Sequence, residues 1–179
     1  MPNQPNQRPS ISPGIPGLLD RFLRYVRIDT QSAPNASRVP STDRQWRLLR
    51  RLQSELQHLG VRSVQLSSQG HLMATLPPTI KESDLPTVGF LAHVDTSTDF
   101  CAAGVRPLVH RRWDGRPLRL PDNPALVLDA KKDPALQHAV GQDLVTASGK
   151  TLLGADDKAG VAVIMSLAEF LVRHPEIPH

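Results

Sequence analysis

The chain has little of what would place it quickly. Among its 179 residues there is one cysteine, Cys101, so no intramolecular disulfide framework exists. That fits a reducing, cytoplasmic setting. Aromatic residues make up only 4% of the sequence, so a core must rest on Leu, Val, Ile and Ala. No apolar run approaches the eighteen residues a membrane-spanning helix needs. The opening "PNQPNQRPSISPGIP" has no apolar centre and does not read as a secretory signal. No internal repeat is visible.

What is present is an ordinary globular balance, 39% hydrophobic and 21% charged, with a formal charge of +4 and a pI near 9.7. The basic residues are scattered, as in Arg47, Arg50 and Arg51 or Arg111 and Arg112, with no interleaved aromatics. The reading is therefore no nucleic-acid partner and no membrane.

Residues 1–15 are rich in Pro, Asn, Gln and Ser and are predicted to be a disordered tail. From Leu18 to Ile28 apolar residues recur at helical spacing. "DTQSAPNASRVPSTD" is a loop, with Ser41 or Thr42 as cap for a second helix. That helix carries its stripe on Trp46, Leu48, Leu49, Leu52, Leu56 and Leu59, and Gly60 stops it. "VRSVQLSSQGHLMATLP" predicts two strands turning at 68–70. "TVGFLAHVD" predicts a third strand, apolar on both faces and therefore central. Residues 96–142 read as a long loop with short strands, and "DLVTASGKTLLG" as a hairpin turning at 148–150. Val161 to Val172 predict a last helix. This order predicts an α/β fold, a mixed, largely parallel sheet flanked by helices. The closing "HPEIPH" reads as a loop toward a further strand, so the fold is expected to be incomplete at the C-terminus.

Two constellations carry chemistry. In "AHVD", His93 and Asp95 stand two apart on a strand, so both point to one face at its C-terminal mouth. An imidazole there can bind a metal with a carboxylate steering it; a plain surface pair is the alternative. In "LLGADDKAG", Asp156 and Asp157 sit where a strand turns into a helix. Adjacent carboxylates oppose each other's ionisation, and a divalent cation removes that conflict; the alternative is a helix cap with Lys158 as neutralising partner. Imidazole and carboxylate at two strand mouths form a reasonable zinc donor set. "SGKT" at 148–151 lacks the upstream glycine of a phosphate-binding loop. His58, His71, His110, His138, His174 and His179 show no ligand spacing.

"HVDTS", "GKTLLGADDKAG", "RFLRYVRIDTQS", "VPST", "QWRLL" and "HLMATLP" together resemble the peptidase T family, tripeptide aminopeptidases of the dinuclear zinc aminoacylase and carboxypeptidase superfamily. The resemblance runs from about Leu19 to the end. It implies two zinc ions per complete site, with His93 as ligand of one and Asp156 bridging both. It implies that Asp95 is the acidic residue assigned as catalytic, supporting His93, and that the Asp156–Asp157 peptide bond is cis. It implies a tripeptide substrate cleaved by metal-activated water, and a homodimer for the full-length enzyme. The family's general-base glutamate, further ligands and dimerisation (lid) domain have no counterpart before His179, and Val163 stands where an acidic residue is expected. Residues 16–179 are thus expected to be the N-terminal part of a catalytic domain, inactive alone and binding zinc weakly or not at all. The competing expectation is a non-catalytic remnant or interaction module.

Overall fold

A computed structural model describes residues 15–81 and 86–179. The disordered tail expected at 1–15 falls, except for Ile15, outside the described residues. The first helix, α1 (Leu18–Val26), and the second, α2 (Asp43–His58), follow the two amphipathic stripes. Gly60 ends α2 as read from sequence: its φ of 86° is a left-handed conformation that favours glycine, and the Gly60 and Val61 amides bond back to the Gln57 and Leu56 carbonyls. Thr42 occupies the cap position of α2 without capping it; its hydroxyl donates instead to the Gln31 carbonyl at 2.8 Å.

β1 (Ser63–Leu66) and β2 (Leu72–Thr75) form the expected antiparallel hairpin. Beyond it the expectation and the structure part. β3 (Leu108–His110), β4 (Leu118–Leu120) and β5 (Asn123–Leu128) are short; a five-residue helix, α3 (Pro134–His138), precedes β6 (Leu144–Thr146). β4 pairs with β5 and β6 with β3, both antiparallel. The hairpin expected around 148–150 does not form, because β6 takes β3 as its partner. The largely parallel sheet is likewise not formed: the described residues make three two-stranded antiparallel sheets, and their parallel pairing is an isolated bridge between Gln31 and Thr96.

The predicted central strand at 87–95 is extended but makes no ladder. Residues 87–90 are exposed throughout, but from Leu91 to Val94 the side chains alternate. Ala92 and Val94 pack on the core, whereas Leu91 is 97% exposed and His93 faces outward. With no strand beside it among the described residues, the segment leaves 87–90 in water and keeps only Ala92 and Val94 on the core.

The last helix, α4 (Ala155–Arg173), closes the core. Tyr25 from α1, Leu48, Leu52 and Leu56 from α2, and Val161, Ala162 and Met165 from α4 are buried against one another and Val61. A polar clamp crosses the same helices. Arg21, almost fully buried, donates to Ser166 Oγ at 2.7 Å and Glu169 Oε2 at 2.6 Å, and the Tyr25 hydroxyl donates to Glu55. These helices hold the start of α4 beside the 92–96 segment.

Candidate metal centre

His93 and Asp95 reach one face because the 91–95 segment is pleated. The segment is fixed at its end by Thr96, buried to 1%, whose carbonyl accepts from the Ser32 amide at 3.1 Å and the Ser32 hydroxyl at 3.0 Å. The other half of the site is a corner. Gly154 has a left-handed φ of 74° that turns the chain into α4. Asp156 (φ −88°, ψ 105°) and Asp157 (φ −119°, ψ 33°) are not helical, and the peptide bond between them is cis, as the family resemblance implies.

This backbone sends the adjacent carboxylates in different directions. Asp157 Oδ1 turns back to accept from the Gly160 amide at 3.0 Å, so it caps the regular part of α4. The Asp156 side chain is 95% exposed and reaches across to His93. The two readings of the Asp-Asp pair are therefore divided between its members: one carboxylate caps, the other is free for a partner.

His93 Nε2 lies 3.1 Å from Asp156 Oδ1, and His93 Nδ1 lies 3.0 Å from the Asp95 carbonyl and 3.2 Å from Asp95 Oδ1. All three residues named from sequence meet here. The carbonyl can only accept, so Nδ1 carries a proton. In a neutral ring Nε2 then presents its lone pair to a carboxylate oxygen, two acceptors face to face. A cation must sit between them, either a proton or a metal. The imidazole responds accordingly: partial burial disfavours its charge, but the Asp156 hydrogen bond and the Asp95 charge outweigh that and raise its pKa above the ordinary histidine value.

The spacing suits a shared metal. Two donors bound to one tetrahedral zinc stand about 3.3 Å apart, close to the observed 3.1 Å. A ligand histidine with its other nitrogen held by a carbonyl or carboxylate is the usual outer arrangement of such sites. The set is nonetheless partial. Among the described residues no three His, Cys, Asp or Glu side chains converge as a metal group, and catalytic zinc takes three protein ligands. The residues present fit zinc as part of a larger donor set. The other histidines stay apart: His110 contacts Thr146, and His174 contacts Glu176.

From the sequence, Lys158 is expected to neutralise the aspartate pair or to shape the corner without binding metal. The structure buries it to 1% exposure and aims Nζ at the Ile28 carbonyl, 2.7 Å away. Burial drives its pKa down to about 8 against the pull of the Asp29 carboxylate. Its place in α4, one helical turn from apolar Val161 and Ala162, is a sequence signal that it faces inward.

No family model matches the chain. Peptidase T of Exiguobacterium sp. (strain ATCC BAA-1283 / AT1b) is 46% identical over 162 residues, which are 90% of this chain and 39% of that protein. Peptidase T of Staphylococcus aureus (strain JH9) is 50% identical over the same lengths. A tripeptidase crystal structure from S. aureus subsp. aureus Mu50 aligns with a TM-score of 0.56 at 22% identity, covering 90% of this chain and 33% of that one, a likeness of fold. The chain spans about two-fifths of the length of the curated relatives it matches. Over nine-tenths of its residues, the chain is related in sequence to peptidase T.

Proposed function

We propose that this chain is the N-terminal portion of a zinc-dependent aminopeptidase that releases the N-terminal residue from tripeptides, and that it carries half of the metal site. The observation that carries the reading is the facing pair of acceptors, His93 Nε2 and Asp156 Oδ1, at the separation of two donors on one cation. The name peptidase T of the relatives and the name tripeptidase of the structural neighbour support a peptide substrate. Zinc, two ions in a complete site, would supply Lewis acidity and a water of lowered pKa. Each residue of the chain has a separate task. His93 offers Nε2 as a ligand. Asp95 holds Nδ1–H through its carbonyl and carboxylate, which keeps the tautomer and the ring plane. Asp156 would offer its carboxylate as a further ligand to the metal. Asp157 caps α4 and keeps the corner from turning.

In the same reading, residues 16–179 form part of a catalytic domain whose remaining strands flank 87–95 and complete a largely parallel sheet. The complete enzyme is a cytoplasmic homodimer. The 179-residue chain, with two donors and no general base beside them among the described residues, does not turn over by itself.

Tripeptide hydrolysis tests this on two samples: the purified chain, and the native protein recovered from its source cells with an antibody to the chain. The reading requires a native mass more than twice 19.7 kDa, zinc-dependent tripeptide cleavage by that protein, and none by the isolated chain. Cleavage by the isolated chain, or a long native protein inert toward tripeptides, contradicts it.

A further inference from the structure

We propose that residues 28–32, locked in place by Lys158, form a splint that sets the separation of His93 and Asp156. This rests on the reading of that pair as half a metal site.

The two donors come from segments with no direct ladder between them. One is the pleated stretch ending at Thr96; the other is the corner opening α4. The 28–32 segment touches both. Toward the first, the Ser32 amide donates to the Thr96 carbonyl at 3.1 Å, and Gln31 pairs with Thr96 in the isolated parallel bridge. Gln31 Nε2 also donates to the Ser97 carbonyl at 2.9 Å and the Phe100 carbonyl at 2.8 Å. Toward the second, Lys158 Nζ donates to the Ile28 carbonyl at 2.7 Å, from a residue two beyond Asp156. The splint is itself fastened to α2: Thr42 Oγ1 donates to the Gln31 carbonyl at 2.8 Å, and Arg44 pairs with Asp29 at 3.1 Å.

Lys158 is the unexpected member. A buried ammonium costs stability unless its hydrogen bonds repay it, and methionine would fill a similar space without charge. Its hydrogen bond is spent on a loop carbonyl 130 residues away in sequence. That bond fixes the loop to the metal corner, so Lys158 is a positioning residue. Gly154 shows how closely the parts meet: a Cβ there would lie 3.1 Å from Thr96 Cγ2 and 3.6 Å from Lys158 Nζ.

The test is nitrogen NMR of the His93 ring in the zinc-free 179-residue chain, at one pH where that ring is protonated. Asp156→Ala gives the signal of a His93 whose Nε2 has lost its partner while Asp95 still holds Nδ1. The splint requires that Lys158→Met and Gln31→Leu each move the His93 signals toward that reference. Arg21→Met, which breaks the core clamp to Ser166 and Glu169 further along α4, should leave them at the wild-type position despite its loss of stability. Wild-type His93 signals in a folded Lys158→Met protein would overturn the proposal. If Lys158→Met does not fold, Gln31→Leu on the splint's surface decides by the same criterion. Zinc addition to the wild-type chain separates the two ideas: an unmoved His93 sinks the metal reading and leaves the splint standing on the zinc-free result.

Discussion

His93 Nε2 and Asp156 Oδ1 stand 3.1 Å apart although 63 positions separate them in sequence. The contact is made by two turns of backbone, a pleat that throws His93 outward and a cis-linked corner that parts Asp156 from Asp157. Both donors are largely exposed, and exposed ion pairs contribute at most about 1 kcal/mol. The pair therefore does little for folding, and its geometry is available for a ligand.

Asp95 acts on His93 through two oxygens, one on the backbone. Asp95→Ala removes only the carboxylate, so the carbonyl still holds Nδ1–H and the tautomer survives. Zinc affinity should fall roughly ten-fold, at the lower end for loss of an outer-shell partner. Isothermal titration of both proteins measures it. An unchanged affinity would mean that the carboxylate is idle.

The Arg21 clamp makes stability pH-dependent. The Glu169 carboxyl sits below its ordinary value because the Arg21 hydrogen bond and charge outweigh partial burial. A depressed carboxylate contributes stability above its unfolded pKa and loses it as pH falls through the folded one. Urea midpoints should thus drop below about pH 4.5 in wild type, with a smaller drop in Glu169→Gln. Arg21→Met should cost about 2 kcal/mol at neutral pH, the scale of a charged hydrogen bond lost in a buried place. Equal acid slopes in wild type and Glu169→Gln would refute the assignment.

Val88, Phe90 and Leu91 are exposed to 70%, 61% and 97%. They lie in an uncharged, ladder-free segment of the kind that pairs with copies of itself. Phe90→Lys with Leu91→Lys should raise the concentration at which the isolated chain stays monomeric in analytical ultracentrifugation. No difference would place self-association elsewhere.

Much of this was legible in advance, for identifiable reasons. α1, α2 and α4 each carry a stripe at helical spacing, and tertiary packing only had to accept it. The β1–β2 hairpin is local, its partners running from Leu66–Leu72 at the turn to Ser63–Thr75 at the open end. The failures are non-local. Val145 prefers Val109 across a long gap over a neighbour in its own expected hairpin, and sequence pattern cannot rank such partners. The apolar 87–95 run reads as a central strand, yet a strand is defined by neighbours, and the described residues supply none. α3 was passed over although "DPALQH" announces it: Asp133 caps the Ala135 amide and Pro134 takes the first helical turn. At the site, residue types and strand alternation bring His93 and Asp95 forward, the strand-to-helix corner brings the Asp156–Asp157 pair, and only the family resemblance picks Asp156 from it. Lys158 is legible as a corner residue but not as a tie to Ile28, and Gln31 not at all, because both roles are hydrogen bonds to distant carbonyls, which no spacing encodes.

The most direct measurement is a zinc titration of the 179-residue chain watched at the His93 ring nitrogens. The account predicts that Nε2 responds, that Nδ1 keeps its proton, and that Asp156→Ala weakens the response at least ten-fold. A His93 ring indifferent to zinc, or one that binds it equally well without Asp156, would contradict the shared cation on which the account stands.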